Sequence, residues 1–123
     1  MSCLFNSLSE YLNKKNNPIS SNELRQQICD YLSTNPIMLN DNQTKFNDLL
    51  KNTALVSYIS NMRNPTTWGS GFEISAFCNL YHTQVVVRVL TTSRDITFVP
   101  LSCCTNKIVR LAWNGSHYTL YST

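Results

Sequence analysis

The residues of this chain that could take part in covalent chemistry are its cysteines, and the first of them has an unusual position. Cys3 begins a stretch in which apolar residues recur with helical spacing, at 4, 5, 8, 11 and 12. The N-terminal end of a helix lowers the pKa of a thiol placed there, because unpaired backbone N–H groups stabilise the nucleophilic thiolate. Cys3 is therefore a candidate nucleophile. The alternative, typical of a lone cysteine, is a small buried apolar residue.

A thiol nucleophile needs a general base, and the sequence contains two histidines. His117 follows an Asn-Gly-Ser turn and opens the last predicted strand, where sheet hydrogen bonds would hold its ring in a fixed place. His82 comes just after the predicted end of a helix, where a histidine commonly interacts with free carbonyl groups. We therefore predict that His117, rather than His82, is the base.

The other cysteines have structural interpretations. Cys29 and Cys78 fall inside predicted helices, where cysteine is usually buried, and Cys103 and Cys104 are adjacent in a predicted loop with no mechanism attached to the pair. No Cys-x-x-Cys pair occurs, so the ligand spacing for zinc is poor and we expect neither metal nor cofactor. The odd number of cysteines and the lack of a signal-peptide pattern favour a reducing, cytoplasmic location.

Length and composition narrow the class of protein. The chain has 123 residues, which fits one domain over 1–123. Hydrophobic residues make up 42% and charged residues 14%, with a net charge of +3. The basic residues are scattered rather than clustered with aromatics, so we expect no nucleic-acid partner. No segment is long and apolar enough to span a bilayer, so we expect no membrane partner.

The pattern changes from helical to extended along the chain. Periodicity predicts helices over 3–13, 21–33, 42–63 (with a break near Asn52) and 72–81. Two of these helices begin with capping boxes, Ser20 with Glu23 and Ser70 with Glu73. Short β-branched and aromatic runs predict strands over 84–90, 95–100, 107–113 and 116–122, with an Asn-Gly hairpin turn at 114–115. This order predicts an α+β fold, with helices packed on a small, largely antiparallel sheet.

Four segments of the chain, taken together, indicate a protein family more specifically than any one of them does alone. They are CLFNSLS at 3–9, LRQQICDYL at 24–32, WGSGFEISAF at 68–77 and SHYTLY at 116–121. In this order they resemble the ovarian tumour (OTU) family of papain-like cysteine proteases, most of which are deubiquitinases. The resemblance extends from Cys3 to about Tyr121, which is nearly the whole chain.

The resemblance implies a papain-like fold in which Cys3 is the nucleophile and His117 the general base. The substrate would be an isopeptide bond after the C-terminal glycine of ubiquitin or a ubiquitin-like protein. Trp68, Gly69 and Ser70 would lie along the substrate channel. The compact chain and its Asn-rich composition lead us to expect a viral or intracellular-pathogen origin, hence the host cytoplasm. A viral enzyme of this type would also be able to cut its own polyprotein.

The sequence departs from the family pattern in two places. Family members usually carry Asp-Gly-x before the cysteine, in a loop that helps to form the oxyanion hole, whereas only Met1 and Ser2 stand before Cys3 here. Either the printed sequence begins within a longer polypeptide, or the oxyanion hole is built differently. Many members also place Asp or Asn two residues after the histidine, where this chain has Thr119. Thr119 is the first candidate for the orienting residue, and Asn114 is the alternative.

These departures leave a second function open. The chain would then be a catalytically weak or inactive ubiquitin-binding module with an OTU fold. Retention of both Cys3 and His117 favours the protease, since a module that only binds has little reason to keep the pair. In either case we expect a monomer whose partner is ubiquitin or a ubiquitin-like protein.

Overall fold

The computed structural model describes residues 2–34, 36, 52–101 and 105–122. Four helices precede the strands in this part of the chain. They are α1 (Cys3–Lys14), α2 (Ser21–Ser33), α3 (Asn52–Met62) and α4 (Gly71–Tyr81). The predicted helices over 3–13, 21–33 and 72–81 are confirmed to within a residue at each end. The predicted segment 42–51 lies outside the described residues.

Local sequence signals explain where the helices begin. Ser20 and Glu23 form the predicted capping box: the Ser20 hydroxyl accepts from the Glu23 N–H at 3.1 Å, and the Glu23 carboxylate accepts from the Ser20 N–H at 3.2 Å. Ser70 and Glu73 form the second box at the start of α4. Each box satisfies backbone donors that have no partner within the helix. Both predicted helix starts are therefore confirmed.

The strands form one four-stranded sheet in the order β2-β1-β3-β4. Their bounds are Gln84–Val89 (β1), Arg94–Phe98 (β2), Ile108–Trp113 (β3) and Tyr118–Ser122 (β4). β1 pairs antiparallel with β2, and β3 pairs antiparallel with β4. The central pair, β1 with β3, is parallel. The predicted α+β fold with a largely antiparallel sheet is thus confirmed, and the sheet is mixed at its centre.

The β3–β4 hairpin is closed at the predicted Asn-Gly turn. Gly115 has a φ of 101°, a backbone conformation that glycine adopts without steric penalty. Asn114 supports the turn, because its side-chain oxygen accepts from the backbone N–H groups of Ser116 and His117 at 2.9 and 2.8 Å. The local sequence therefore determines both the turn and the position of His117 at its end.

The hydrophobic core lies between the helices and one face of the sheet. The sheet contributes alternate residues that are almost completely buried, Val85, Val87, Val109 and Leu111. The apolar stripe predicted for α1 is confirmed, since Leu4, Phe5, Leu8, Tyr11 and Leu12 are all buried. Helix α1 lies against β3 and β4 and contacts α2 on its other side. Among the described residues, no helix is long and apolar enough to cross a membrane.

Candidate active site

Cys3 is the first residue of α1 and is partly exposed. The first backbone bond of the helix runs from the Asn6 N–H to the Ser2 carbonyl at 2.7 Å. Ser2 is the N-cap residue, but its side chain makes no capping bond to the first turn. Its hydroxyl donates instead to the Pro65 carbonyl at 3.1 Å. The thiol thus stands at the positive end of the helix dipole, as the sequence predicts.

The first turns of α1 contact the beginning of β4. The buried Ser7 hydroxyl lies 2.8 Å from the Cys3 carbonyl oxygen and 3.3 Å from the Tyr118 carbonyl oxygen. Burial raises the pKa of the Tyr118 phenol, and the negative charge of an ionised Cys3 raises it further. Both observations place Cys3 beside the residue that follows His117.

His117 is exposed and lies between the hairpin turn and β4. Its backbone is held on both sides, because the His117 N–H donates to the Asn114 side chain and the His117 carbonyl accepts from the Asn114 N–H at 3.2 Å. Its ring lies 6.3 Å, centroid to centroid, from the ring of Trp68, with 36° between the planes. The structure therefore brings the turn that carries His117 to the same end of the molecule as Cys3 and Trp68.

The loop that carries Trp68 packs directly on α1. Trp68 is half exposed. The neighbouring Gly69 has no room for a side chain, since a Cβ atom there would lie 2.5 Å from Leu4 Cδ2 and 3.3 Å from Phe5 Cε2. Glycine thus permits the loop to approach the two residues that follow the nucleophile candidate within the same helical turn.

Ser70, the third predicted substrate-binding residue, takes part in a polar cluster at the start of α4. Its hydroxyl lies 2.7 Å from Glu73 Oε1 and 2.8 Å from the Tyr58 hydroxyl. Tyr58 donates to Glu73 Oε2 at 2.6 Å. Glu73 is completely buried, and burial raises the pKa of its carboxyl group. Ser70 therefore has a structural role in addition to its place beside Gly69.

Neither candidate for the orienting residue bonds to the His117 ring. Within the described residues, the imidazole makes no side-chain hydrogen bond. Thr119 is exposed and pairs with Ala112 in the β3–β4 ladder, two residues after His117. The Asn114 side-chain oxygen is occupied by backbone donors of the turn. The orienting role of Thr119 or Asn114 remains a prediction.

The competing histidine lies at the other end of the sheet. His82 follows α4 and precedes β1, with a left-handed φ of 49°. β1 and β3 run parallel with Gln84 opposite Ile108, so His82 lies near the start of β3 whereas His117 follows its end. Six residues of strand separate these ends by about 20 Å. His82 is thus remote from Cys3, which favours His117 as its partner.

The described residues also form a cavity that is remote from this end. It has a volume of about 660 Å³ and is lined by residues such as Tyr11, Lys15, Tyr81, Lys107 and Arg110. Its lining includes the C-terminal part of α1, whereas Cys3 is at the N-terminal end. None of the candidate site residues lines it. The cavity therefore does not coincide with the predicted site, and the roles of Cys3 and His117 stay predictions.

The remaining described cysteines are buried, as predicted. Cys29 and Cys78 have no exposed surface. Burial raises the pKa of the Cys29 thiol to about 11 and that of the Cys78 thiol to about 12, so both stay protonated at neutral pH. Cys103 and Cys104 lie outside the described residues. In the described ranges, no three His, Cys, Asp or Glu side chains are grouped so that they could hold a metal ion.

One residue near the site was not singled out by the sequence. Arg25, on α2, is completely buried, and its guanidinium group reaches the N-cap of α1. Only the Leu-Arg pair within the second family-like segment pointed to this position, and it gave no indication of burial. A buried arginine must have its donors satisfied, and the partners here lie as many as 40 residues away in sequence.

Comparison with known proteins identifies the protein family of this chain. A family model described as OTU-like cysteine protease matches residues 2–123. The chain belongs to this family. A search of the curated proteins found no significant match.

Solved structures with this fold include OTU domains from different sources. An OTU domain in complex with ubiquitin has a TM-score of 0.76 at 20% identity; the match covers 97% of this chain and 62% of that chain. An OTU deubiquitinase from Wolbachia pipientis wMel has a TM-score of 0.75 at 16% identity, covering 95% and 79%. The viral OTU domain protease from Dera Ghazi Khan virus has a TM-score of 0.65 at 15% identity, covering 98% and 76%. The chain thus has the OTU fold and spans less than two thirds of the length of the first of these structures.

Proposed function

We propose that this chain is a deubiquitinase: a cysteine protease that hydrolyses the isopeptide bond after the C-terminal glycine of ubiquitin or a ubiquitin-like protein. The observation that carries the proposal is that the first turns of α1 lie against the start of β4, where the Ser7 hydroxyl is 2.8 Å from the Cys3 carbonyl oxygen and 3.3 Å from the Tyr118 carbonyl oxygen. Residues 1–123 would form the protease unit. Solved relatives with bound ubiquitin support the choice of substrate.

In the first step His117 would accept the thiol proton, and the Cys3 thiolate would attack the carbonyl carbon of the substrate glycine. The tetrahedral intermediate would place its negative charge near the first turn of α1. That turn has free helical N–H donors, and Ser2 does not cap them with its side chain. Collapse of the intermediate breaks the C–N bond, and protonated His117 gives its proton to the departing lysine amine.

In the second step water would hydrolyse the thioester. His117 takes one proton from the water as the water oxygen attacks the carbonyl carbon. The C–S bond then breaks, protonated His117 returns its proton to the Cys3 sulfur, and the released carboxylic acid of ubiquitin loses its remaining proton to solvent. Trp68 would form one wall of the channel that admits the extended C-terminal tail, because its half-exposed ring faces that of His117. Gly69 would keep this wall close to α1.

The second candidate function is a ubiquitin-binding module with little or no turnover. The observation in its favour is that, among the described residues, no side chain hydrogen-bonds to the His117 ring. An imidazole that is not oriented is a poorer base, because the productive tautomer and ring position are not fixed. The fold and the exposed Trp68 would still serve to bind a partner.

Ubiquitin carrying a thiol-reactive group at its C-terminus distinguishes the two functions. The wild type is expected to form a covalent adduct at Cys3, and Cys3→Ala to form none. His117→Ala is expected to react and to hydrolyse substrate about a hundredfold or more slowly, because general-base catalysis is lost. His82→Ala is the matched control, and we expect wild-type rates because that histidine lies at the other end of the sheet. Ubiquitin binding without an adduct would instead identify the module.

A gain-of-function variant tests the orienting position. If Thr119 occupies it, Thr119→Asp is expected to raise the turnover number, since a carboxylate can hold the imidazole and stabilise its charged form. Turnover is measured on a ubiquitin substrate with a fluorescent leaving group. Unchanged turnover in this variant would leave two alternatives, Asn114 as the orienting residue or a plain dyad of Cys3 and His117.

A further inference from the structure

The buried Arg25 side chain joins three segments that meet at the N-terminal end of α1. Its Nη1 atom donates to the Met62 carbonyl at 2.7 Å, where α3 ends. Its Nη2 atom lies 3.3 Å from the Ser2 hydroxyl oxygen and 3.3 Å from the Pro65 carbonyl oxygen. A single guanidinium group thus bonds to the end of α3, to the turn that follows it and to the N-cap of α1.

The same side chain also packs on Phe5, in the first turn of α1. The guanidinium carbon lies 4.2 Å from the centroid of the Phe5 ring. Ser2 and Phe5 stand on either side of Cys3 in sequence, so Arg25 contacts the helix start both before and after the thiol. The Phe5 ring is in turn within reach of Gly69, next to Trp68.

The chemistry of this contact requires arginine. A planar guanidinium group can donate to several oxygens at its edge while its face stacks on an aromatic ring. A lysine ammonium carries the same charge but offers a point donor without a flat face. Arg25 has no exposed surface, so these bonds replace its hydration completely.

From this arrangement we infer that Arg25 is a positioning residue for the nucleophile: it fixes the Cys3 turn against the Met62–Pro65 turn, and thereby sets where the thiol stands relative to Trp68 and His117. This rests on the proposed function only in taking Cys3 as the reacting group. None of the Arg25 contacts described above is with the thiol or the imidazole, so their effect on the reaction is through geometry. A displacement on the order of 1 Å at a reacting group can lower the rate about a hundredfold.

The test compares Arg25→Met and Arg25→Lys with a matched arginine. Arg88, on β1, is the control, since its side chain pairs with Asp95 on β2 and makes no described contact with α1 or with the Met62–Pro65 turn. The turnover number and KM on a ubiquitin substrate are measured at a temperature where circular dichroism shows every variant to be folded. We expect Arg25→Met to lower the turnover number about ten- to a hundredfold with little change in KM, and Arg25→Lys to recover part of the loss. Arg88→Met is expected to keep the wild-type turnover number.

A second readout does not depend on ubiquitin. The rate of Cys3 alkylation by iodoacetamide at fixed pH is followed by mass spectrometry of the N-terminal peptide, with Cys3→Ala as the blank. A changed rate in Arg25→Met but not in Arg88→Met supports the positioning role, even if the wild type hydrolyses no ubiquitin substrate and the proposed function fails. Folded Arg25→Met with wild-type turnover and wild-type alkylation would overturn the inference.

Ser2→Ala covers the case in which Arg25→Met does not fold. That variant removes the hydroxyl that accepts from Arg25 and donates to Pro65, while the buried arginine keeps its other partners. A several-fold fall in turnover or a changed alkylation rate supports the role. Wild-type values for both would overturn it.

Discussion

Ser7 and Asn114 both act on backbone groups, and the placement of Cys3 and His117 depends on them. Ser7 sits one helical turn after Cys3 and reaches the carbonyl groups of Cys3 and Tyr118. Asn114 holds the N–H of His117 through its side chain. Since each bond is to the main chain, it positions the backbone of Cys3 or His117 whichever rotamer the side chain adopts. Neither role is visible in a motif, because serine and asparagine are common on any polar surface.

Gly69 gives a prediction about close packing beside the candidate nucleophile. Gly69→Ala is expected to lower the free energy of unfolding by about 1–3 kcal/mol, since the added methyl group would lie 2.5 Å from the buried Leu4 side chain and the loop must shift. The shift would move Trp68, so the rate on ubiquitin substrates is also expected to fall. Urea unfolding and substrate hydrolysis measure the two effects.

Gly71 provides the control for this substitution. A Cβ atom at Gly71 would lie 3.5 Å from Phe98 Cε2, an ordinary contact, and the residue is the first of α4. Gly71→Ala should therefore leave both stability and rate close to wild type. Equal effects of the two alanine substitutions would show that the close approach of Gly69 to α1 is unimportant.

At the scale of elements, α4 begins at a buried carboxyl group whose charge depends on pH. Glu73 accepts from the Ser70 N–H at 2.6 Å and from the Tyr58 hydroxyl, yet burial is the larger influence and raises the pKa of the carboxyl group above its ordinary 4.5. The folded protein therefore holds the proton more tightly than the unfolded chain. It follows that this group contributes stability at low pH that is lost as the pH rises from 4.5 through the raised pKa.

The prediction is that Glu73→Gln makes stability less dependent on pH. The amide keeps an oxygen acceptor for the Ser70 N–H but does not ionise, so the variant lacks the loss that the wild type shows as the pH rises. Urea unfolding of both proteins from pH 4.5 upward gives the two curves. Glu23→Gln, in the exposed capping box of α2, is the matched control and should run parallel to the wild type. Parallel curves for Glu73→Gln and the wild type would contradict the prediction.

The helices and strands also show which structural features local sequence signals can predict. Capping boxes, the apolar stripe of α1 and the Asn-Gly turn predicted helix starts, buried residues and the hairpin, because each is decided by residues within a few positions of one another. The parallel pairing of β1 with β3 could not be predicted in this way, since strand periodicity carries no information about which strands are neighbours. The same holds for Arg25, whose partners are brought to it by the packing of α1, α2 and α3.

The residues of the candidate site also differ in whether a local sequence signal predicted them. Cys3 was predicted from its place before a helical pattern, and His117 from its place after a turn, so a local signal existed for each. Trp68 was expected near the channel only through the family resemblance, and the structure places its ring beside that of His117. Ser7 and Arg25 had no signal of their own, because burial of a polar side chain is a property of the assembled fold.

At the scale of the whole molecule, the alkylation rates of the cysteines measure how often the hydrophobic core becomes accessible to solvent. Cys29 and Cys78 have no exposed surface and raised thiol pKa values, whereas Cys3 is partly exposed. In a background carrying Cys103→Ser and Cys104→Ser, we expect iodoacetamide to label Cys3 first. Cys29 and Cys78 should react on the order of a thousandfold or more slowly, since they become accessible only when the domain opens.

Mass spectrometry of peptides from timed samples measures these rates, and addition of urea above the unfolding midpoint should make the three thiols comparable. Labelling of Cys29 or Cys78 at the Cys3 rate under native conditions would mean that the core between α2, α4 and the sheet opens readily. A Cys3→Ala sample confirms which peptide carries the fast label.

The bond between Ser7 and Tyr118 spans 111 residues of sequence, and this separation has a consequence for synthesis on the ribosome. The nucleophile candidate is translated before the helices and three strands, whereas its candidate base is translated only after them. A growing chain therefore carries Cys3 without the imidazole that would activate it while all of these elements are made. Closing so long a loop is also entropically slow, so hydrolytic activity would arise only with the last stage of folding.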